Sequence, residues 1–322
     1  MVTRQIGRTS LHVTRLGLGT GPLGGWPTVV PADQAIATIE RAWQLGIRYF
    51  DTAPMYGHGL SEEHLSAVLP SLTRDQFVLS TKVGRLLVPG IPDDPLFDGV
   101  LERDTRFDFS ADGTLRSLVE SRARLGLDAI DIALIHDPDD HHEEALSGAY
   151  ETLAELREEG TIKAVGVGMN WSGPLSRFIL ERDFDCMLLA GRYTLLEQDA
   201  LDDVLPAAID RNVSILAAAV YNSGLLIDPG PDSYYNYERA PEVLIERARE
   251  LRDACLAFDV PLRLAAIQFP LHHSAVACVV VGARSPEEVE ENVRMLETPI
   301  PPELWVHLKE RGLVRADAPT PD

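Results

Sequence analysis

The apolar residues of this chain fall into eight short, nearly unbroken runs, at 15–20, 47–51, 77–82, 130–136, 162–169, 187–190, 213–219 and 278–282. Most lack the alternation of a half-exposed strand and instead suit parallel strands covered on both faces. Between them, Ile36, Ile39 and Trp43 repeat at helical spacing, as do Leu244, Ala248, Leu251, Cys255 and Phe258. Ser285-Pro286-Glu287-Glu288 has the form of an N-cap, a first-turn proline and acids near a helix N-terminus. Eight strand–helix alternations predict an α/β chain folded over 1–322 as one domain, a (β/α)8 TIM barrel with an extra C-terminal helix near 301–312. A doubly wound open sheet would need a Gly-rich turn leading from its first strand straight into a helix. Segment 17–25 is Gly-rich, but it breaks the dinucleotide spacing, contains Pro22, and precedes a helix that starts only near Ala32. The open sheet is rejected.

Two connections are unusually long. One, 84–109, carries Pro89, Pro92, Pro95, Phe97, Phe107 and Phe109, and the other, 222–240, carries Tyr234, Tyr235 and Tyr237. Loops of this length in a compact domain are usually lids or binding loops. The Pro-rich tail, 316–322, is expected to fray.

Composition narrows the class of function. With 322 residues, 45% of them hydrophobic, the chain can build a large core. Its net charge of −21 argues against nucleic acid and against anionic membrane surfaces, both of which call for Lys and Arg. No run reaches membrane-spanning length and the N-terminus has no apolar signal region. Cys186, Cys255 and Cys278 are far apart in apolar contexts, as expected of reduced, buried thiols in a cytoplasmic protein. His141-His142 lacks the helical His-Glu-x-x-His pattern of a zinc site, so no metal is expected.

The candidate chemistry sits where strands end. Asp51 closes the second run and Tyr56 follows five residues later; Lys82 closes the third run and His136 the fourth. In a barrel, such residues converge on one mouth, where active sites lie. A phenol titrates near pH 10, and an ammonium within roughly 4 Å is expected to favour its phenolate. Asp51 is placed to hold Lys82 charged and aimed. Alone, each residue has a bland explanation, such as an Asx turn for Asp51. Together they point to an enzyme.

These blocks resemble the aldo-keto reductase superfamily. The resemblance runs from Gly17-Leu18-Gly19-Thr20, through the stretch 46–56, Ser80-Thr81-Lys82 and Leu134-Ile135-His136, to Gly282-Ala283-Arg284-Ser285-Pro286 and on to Asn292. It implies that Tyr56 is the proton donor and acceptor, Lys82 and Asp51 its tuning pair, and His136 the residue that orients substrate. It also implies a nicotinamide cofactor, with Asn170 and its neighbour Met169 on the carboxamide side and Gly282, Arg284, Glu288 and Asn292 on the adenosine side. Two positions depart from the family pattern: Met169 stands where a serine is usual and Ala190 where a glutamine is usual.

At the adenosine side, positions that often carry basic groups for the 2′-phosphate of NADP hold Gly282 and Glu288, leaving Arg284 as the nearby cation. A carboxylate facing that phosphate is repulsive by roughly a few kcal/mol at an effective dielectric of about 20. NAD is therefore expected ahead of NADP, and NAD suits oxidation. Segment 189–198, together with 221–226, is similar to a bacterial branch of D-threo-aldose 1-dehydrogenases (L-fucose dehydrogenases) and pyridoxal 4-dehydrogenases. The resemblance implies oxidation of the anomeric hydroxyl of a free aldose to a lactone, or of the cyclic hemiacetal of pyridoxal. Trp26, Asp137, Trp171, Arg192 and Tyr221 are the expected pocket residues, and the acidic run Asp137, Asp139 and Asp140 leans towards a sugar. The competing expectations are an NADPH-dependent reductase of aldehydes or ketones and a cofactor-binding regulatory subunit with little turnover.

Overall fold

Each of the eight apolar runs forms a strand in the computed structural model, which describes residues 1–92, 96–99 and 101–321. The strands are β1 (Leu16–Gly19), β2 (Tyr49–Asp51), β3 (Val78–Val83), β4 (Ile132–His136), β5 (Ala164–Met169), β6 (Cys186–Ala190), β7 (Ser214–Ala218) and β8 (Val276–Gly282). They pair in parallel in sequence order, and β8 returns to β1 with Gly282 beside Gly19, closing the barrel. The expected helices form as Ala32–Gln44 and Glu242–Leu256, and the additional C-terminal helix as Pro302–Glu310. Ser285 caps the helix Pro286–Glu297, its side chain accepting from the Glu288 N–H.

Strand alternation sorts the side chains into two cores. Tyr49, Val78, Ile132, Leu134, Ala164, Cys186, Leu188, Cys278 and Val280 fill the barrel interior. Phe50, Leu79, Ala133, Ile135, Val165, Val167 and Met169 face the surrounding helices. Because both faces are covered, the strands read as unbroken apolar runs. All three cysteines are free and buried.

Other elements carry weaker sequence signals. A hairpin of Thr3–Gln5 and His12–Thr14 precedes β1, and its Ile6, Leu11 and Val13 pack with the interior core. The expected loop 84–109 contains a two-stranded ribbon, Arg85–Pro89 against Arg103–Phe107; Pro95 lies outside the described residues. The loop 222–240 holds a small hairpin, Tyr234–Tyr235 against Glu238–Arg239, turned by Asn236 and Tyr237, both at positive φ. The tail expected to fray is instead anchored through its described part. Arg315 binds Asp202 through two nitrogens at 2.6 and 2.7 Å, and Ala318 is buried. No helix among the described residues is long and apolar enough to cross a membrane.

Candidate active site

Strand alternation determines what reaches the mouth. Beyond the inward core side chains Tyr49, Val78 and Leu134, the same inward face carries Asp51 on β2, Ser80 and then Lys82 on β3, and His136 on β4. The corresponding inward positions on the other strands are small: Gly168, Ala190, Ala218, Gly282 and Gly19. Charged groups therefore line one side of the mouth, while the other side keeps open space. A side chain at Gly282 would strike Pro22 Cγ at 2.6 Å, so this wall has no room for one.

Lys82 is 1% exposed and spends all three ammonium donors. Its Nζ donates to Asp51 Oδ2 at 2.8 Å, to the Thr52 carbonyl at 3.0 Å and to the Tyr56 hydroxyl at 3.0 Å. Asp51 is fixed in turn by Ser80, whose hydroxyl donates to Oδ1 at 2.7 Å and lies 2.9 Å from the Tyr49 hydroxyl. A buried charge pair so completely hydrogen-bonded keeps both ions in place.

Tyr56 sits on the turn after β2, and backbone contact holds that turn against the β1 loop. A Cβ added to Gly24 would meet the Gly57 nitrogen at 2.5 Å, and one added to Gly57, at φ 59°, would meet the Gly24 carbonyl. The close approach needs both glycines. Burial pushes the Tyr56 phenol well above its usual pKa; the Asp51 and Asp137 carboxylates add to this, and Arg85 opposes it. The Lys82 ammonium lies within the expected distance of the phenol, but desolvation outweighs it. Lys82 shares its charge with Asp51, so desolvation wins.

The ring of His136 lies 6.0 Å from that of Tyr56, edge-on at 88°. Burial, with Arg85 and Lys82 adding, pushes the imidazole well below its usual pKa, so it is neutral at pH 7. Its Nδ1 is buried without a partner among the described residues, and its Nε2 lies 3.5 Å from Asp137 Oδ2. Asp137, at φ 43°, also pairs with Arg85 at 2.8 Å.

The expected cofactor residues divide. Asn170 follows β5 half-buried at the mouth, and Gly282 ends β8. Glu288 accepts from the Arg284 backbone N–H at 2.8 Å and from its guanidinium at 2.9 Å. Asn292 is bound to the Tyr221 hydroxyl at 2.9 Å. Met169 is a correction: it is 1% exposed and faces the helix-side core, because alternation turns it away from the mouth.

The expected pocket residues also separate. Tyr221 belongs with Asn292 on the β8 side. The Arg192 Nη1 donates to Glu197 at 3.2 Å and to the Tyr235 hydroxyl at 2.5 Å, and its guanidinium lies 4.7 Å from the Trp171 ring centroid. With its charge already engaged, Arg192 braces the β7 hairpin rather than waiting free for substrate; Trp171 is 52% exposed beside it. Trp26 packs edge-on against Tyr237 at 5.1 Å and Tyr234 at 6.2 Å.

Three residues near Tyr56 were not among the expected site residues. Phe97 lies 6.0 Å from the Tyr56 ring, and Arg85 binds Asp137. Tyr237 is the third: though 44% exposed overall, it packs edge-on against Trp26, and its phenol is raised by desolvation with Tyr56 and Asp137 adding. Paired aromatics beside Asn236 were a weak turn signal, since Asn tolerates positive φ.

A mouth that unites a buried ammonium, a phenol and a neutral imidazole beside a wall of small residues suits proton transfer next to a bound planar cofactor. Residues 15–311 match the Aldo/keto reductase family. The chain is 42% identical to a pyridoxal 4-dehydrogenase of Microbacterium luteolum, with 97% of each chain covered. It is also 42% identical to a D-threo-aldose 1-dehydrogenase of a Pseudomonas species, covering 97% of this chain and 96% of the relative. Among solved structures, an aldo-keto reductase from Bacillus halodurans in its holo form superposes with a TM-score of 0.78 at 26% identity, covering 99% of this chain and 98% of that one. The chain is therefore an oxidoreductase enzyme that belongs to the aldo/keto reductase family, whose members use nicotinamide cofactors.

Proposed function

We propose that the protein oxidises the anomeric hydroxyl of a free aldose, such as L-fucose or another D-threo-aldose, to a lactone with NAD. The observation that carries the proton-transfer assignment is the chain Asp51–Lys82–Tyr56, with contacts of 2.8 and 3.0 Å. Tyr56, as phenolate steadied by Lys82, takes the hydroxyl proton on oxidation and becomes the phenol, which returns the proton on reduction. His136, being neutral, orients the substrate oxygen by hydrogen bonding rather than by charge. The nicotinamide, when bound, supplies the hydride acceptor. Because burial raises the Tyr56 phenol, its phenolate fraction is small at neutral pH and grows about tenfold per pH unit, so oxidation is favoured towards alkaline pH.

Asn170, Gly282, Arg284 and Glu288 are the residues proposed to hold the cofactor. The preference for NAD rests on Glu288. It engages both the backbone and the guanidinium of Arg284, which leaves that cation little free charge for a 2′-phosphate. A carboxylate there suits the ribose hydroxyls of NAD as acceptor.

The sugar assignment is supported by the Asp137 carboxylate beside His136 and by the aldose-dehydrogenase relative. Pyridoxal is the second substrate, favoured by the equally similar pyridoxal relative and by the flat rings of Trp26 and Tyr237. Initial rates with L-fucose and with pyridoxal, each with NAD and with NADP, separate these cases by absorbance of the reduced nicotinamide. Turnover of L-fucose with NAD is the expected result. Turnover of pyridoxal alone moves the assignment to that substrate, and a preference for NADP removes the role given to Glu288.

A further inference from the structure

Arg85 and Asp137 come from separate strand ends. Arg85 opens the ribbon that follows β3, and Asp137 is the first residue after β4. Barrel closure brings their side chains to 2.8 Å, both largely buried, with exposures of 16% and 28%. The guanidinium is further fixed over the Phe107 ring, 4.4 Å from its centroid. Asp137 holds a left-handed backbone conformation, φ 43°, uncommon for a non-glycine residue. The same Oδ2 lies 3.5 Å from His136 Nε2, and the His136 ring lies against that of Tyr56. The pair ties the ribbon after β3 to the end of β4 beside Tyr56, while the barrel strands are paired through their backbones.

We propose that Arg85 and Asp137 form a second charge pair acting on Tyr56, in addition to Lys82 and Asp51, and that Asp137 aligns His136 as part of that arrangement. The proposal rests on Tyr56 as the proton-transfer group. Both are positioning residues. Tyr56 is faced by Asp51 from β2, Lys82 from β3, His136 and Asp137 from the end of β4, Arg85 from the ribbon and Tyr237 from the hairpin after β7. Lys82 and Asp51 bias the phenol from one side, and Asp137 and Arg85 add a second, opposed pair of influences to it. The carboxylate opposes the phenolate and the guanidinium favours it, as the directions of their effects on Tyr56 agree. Asp139, close to Asp137 on the outer side, adds negative charge to the carboxylate's surroundings.

The test is the pH dependence of kcat/KM for Asp137→Asn, Arg85→Met, Arg85→Lys and the double variant Arg85→Met/Asp137→Asn. Removing the carboxylate should move the alkaline limb to lower pH, and removing the guanidinium should move it to higher pH. Each displacement should correspond to roughly a three- to tenfold change in phenolate fraction at fixed pH, the size of one partly screened charge at this range. Arg85→Lys keeps the charge and should leave the limb in place. In the double variant the two displacements should largely cancel. Limbs that coincide with the wild type while kcat falls, or that move the same way in both single variants, would overturn the proposal and leave the pair a structural tie. Rates are read with L-fucose or pyridoxal and also in reduction of 4-nitrobenzaldehyde, so failure of the aldose assignment is seen separately. The same displacement is read without substrate, as the tyrosinate absorbance that Tyr56→Phe removes. Its absence there counts against the proposal equally.

Discussion

Replacing Lys82 with Met separates the stability of the site from its chemistry. The side chain is buried, and its ammonium is the only cation bonded to Asp51 among the described residues. Met has similar length and apolar volume, so the change removes charge more than packing. Asp51 would remain, still accepting from Ser80 at 2.7 Å, as a buried carboxylate without its counter-ion. Breaking one half of a buried pair costs about 3–5 kcal/mol. At about 2.1 cal/mol/K per residue, unfolding entropy for this length is roughly 0.7 kcal/mol/K, so the apparent Tm should fall by about 4–7 °C. Adding Asp51→Asn removes the stranded charge and should restore more than half of the loss. Turnover should recover in neither variant, since Tyr56 lacks the ammonium that steadies its phenolate. Thermal unfolding followed by fluorescence, with initial rates on the same samples, reads both quantities. A Tm loss in the double variant equal to the sum of the single losses would refute the reasoning, because the two groups would then be energetically independent.

Two further outcomes follow from the same geometry. Gly24→Ala should push the β1 loop off the Gly57 nitrogen and misplace Tyr56; kcat should fall by about 100-fold with little change in far-UV circular dichroism, as expected when a catalytic group is displaced by about 1 Å. Stability should also depend on His272, which burial, with Arg15 and Arg4 adding, lowers to about 4. The unfolded chain binds that proton near pH 6.5, so stability is full above this value and declines as pH falls towards about 4. Urea unfolding of His272→Gln should show a flatter decline across that window.

The barrel was legible because its strands are buried on both faces and therefore apolar throughout. Asp51, Lys82 and His136 stood out because each ends such a run with a charged or polar group at the inward position. The same alternation, applied to β5, would have turned Met169 away from the mouth; its place next to Asn170 in sequence hid that. The hairpins before β1 and after β7 are too short and too polar to show a period. Arg85 and Asp137 are 52 residues apart and meet only through the β3–β4 pairing, so no local pattern announces them. Arg192 suggested a substrate anchor, yet Glu197, five residues on, and Tyr235 had already claimed its guanidinium. Proline suggests fraying for 316–322, whereas Ala318 is buried and Arg315, just before the tail, pairs with Asp202 far along the chain.

The most direct test of the account is Tyr56→Phe, with NAD binding measured by quenching of protein fluorescence beside initial rates on the substrate that the wild type oxidises. NAD affinity should be unchanged within about twofold, because the hydroxyl belongs to the proton path, while turnover should fall by at least about 100-fold, the scale of general acid–base catalysis. Turnover retained at the wild-type level with normal NAD binding would contradict the central claim that Tyr56, held by Lys82 and Asp51, carries the proton.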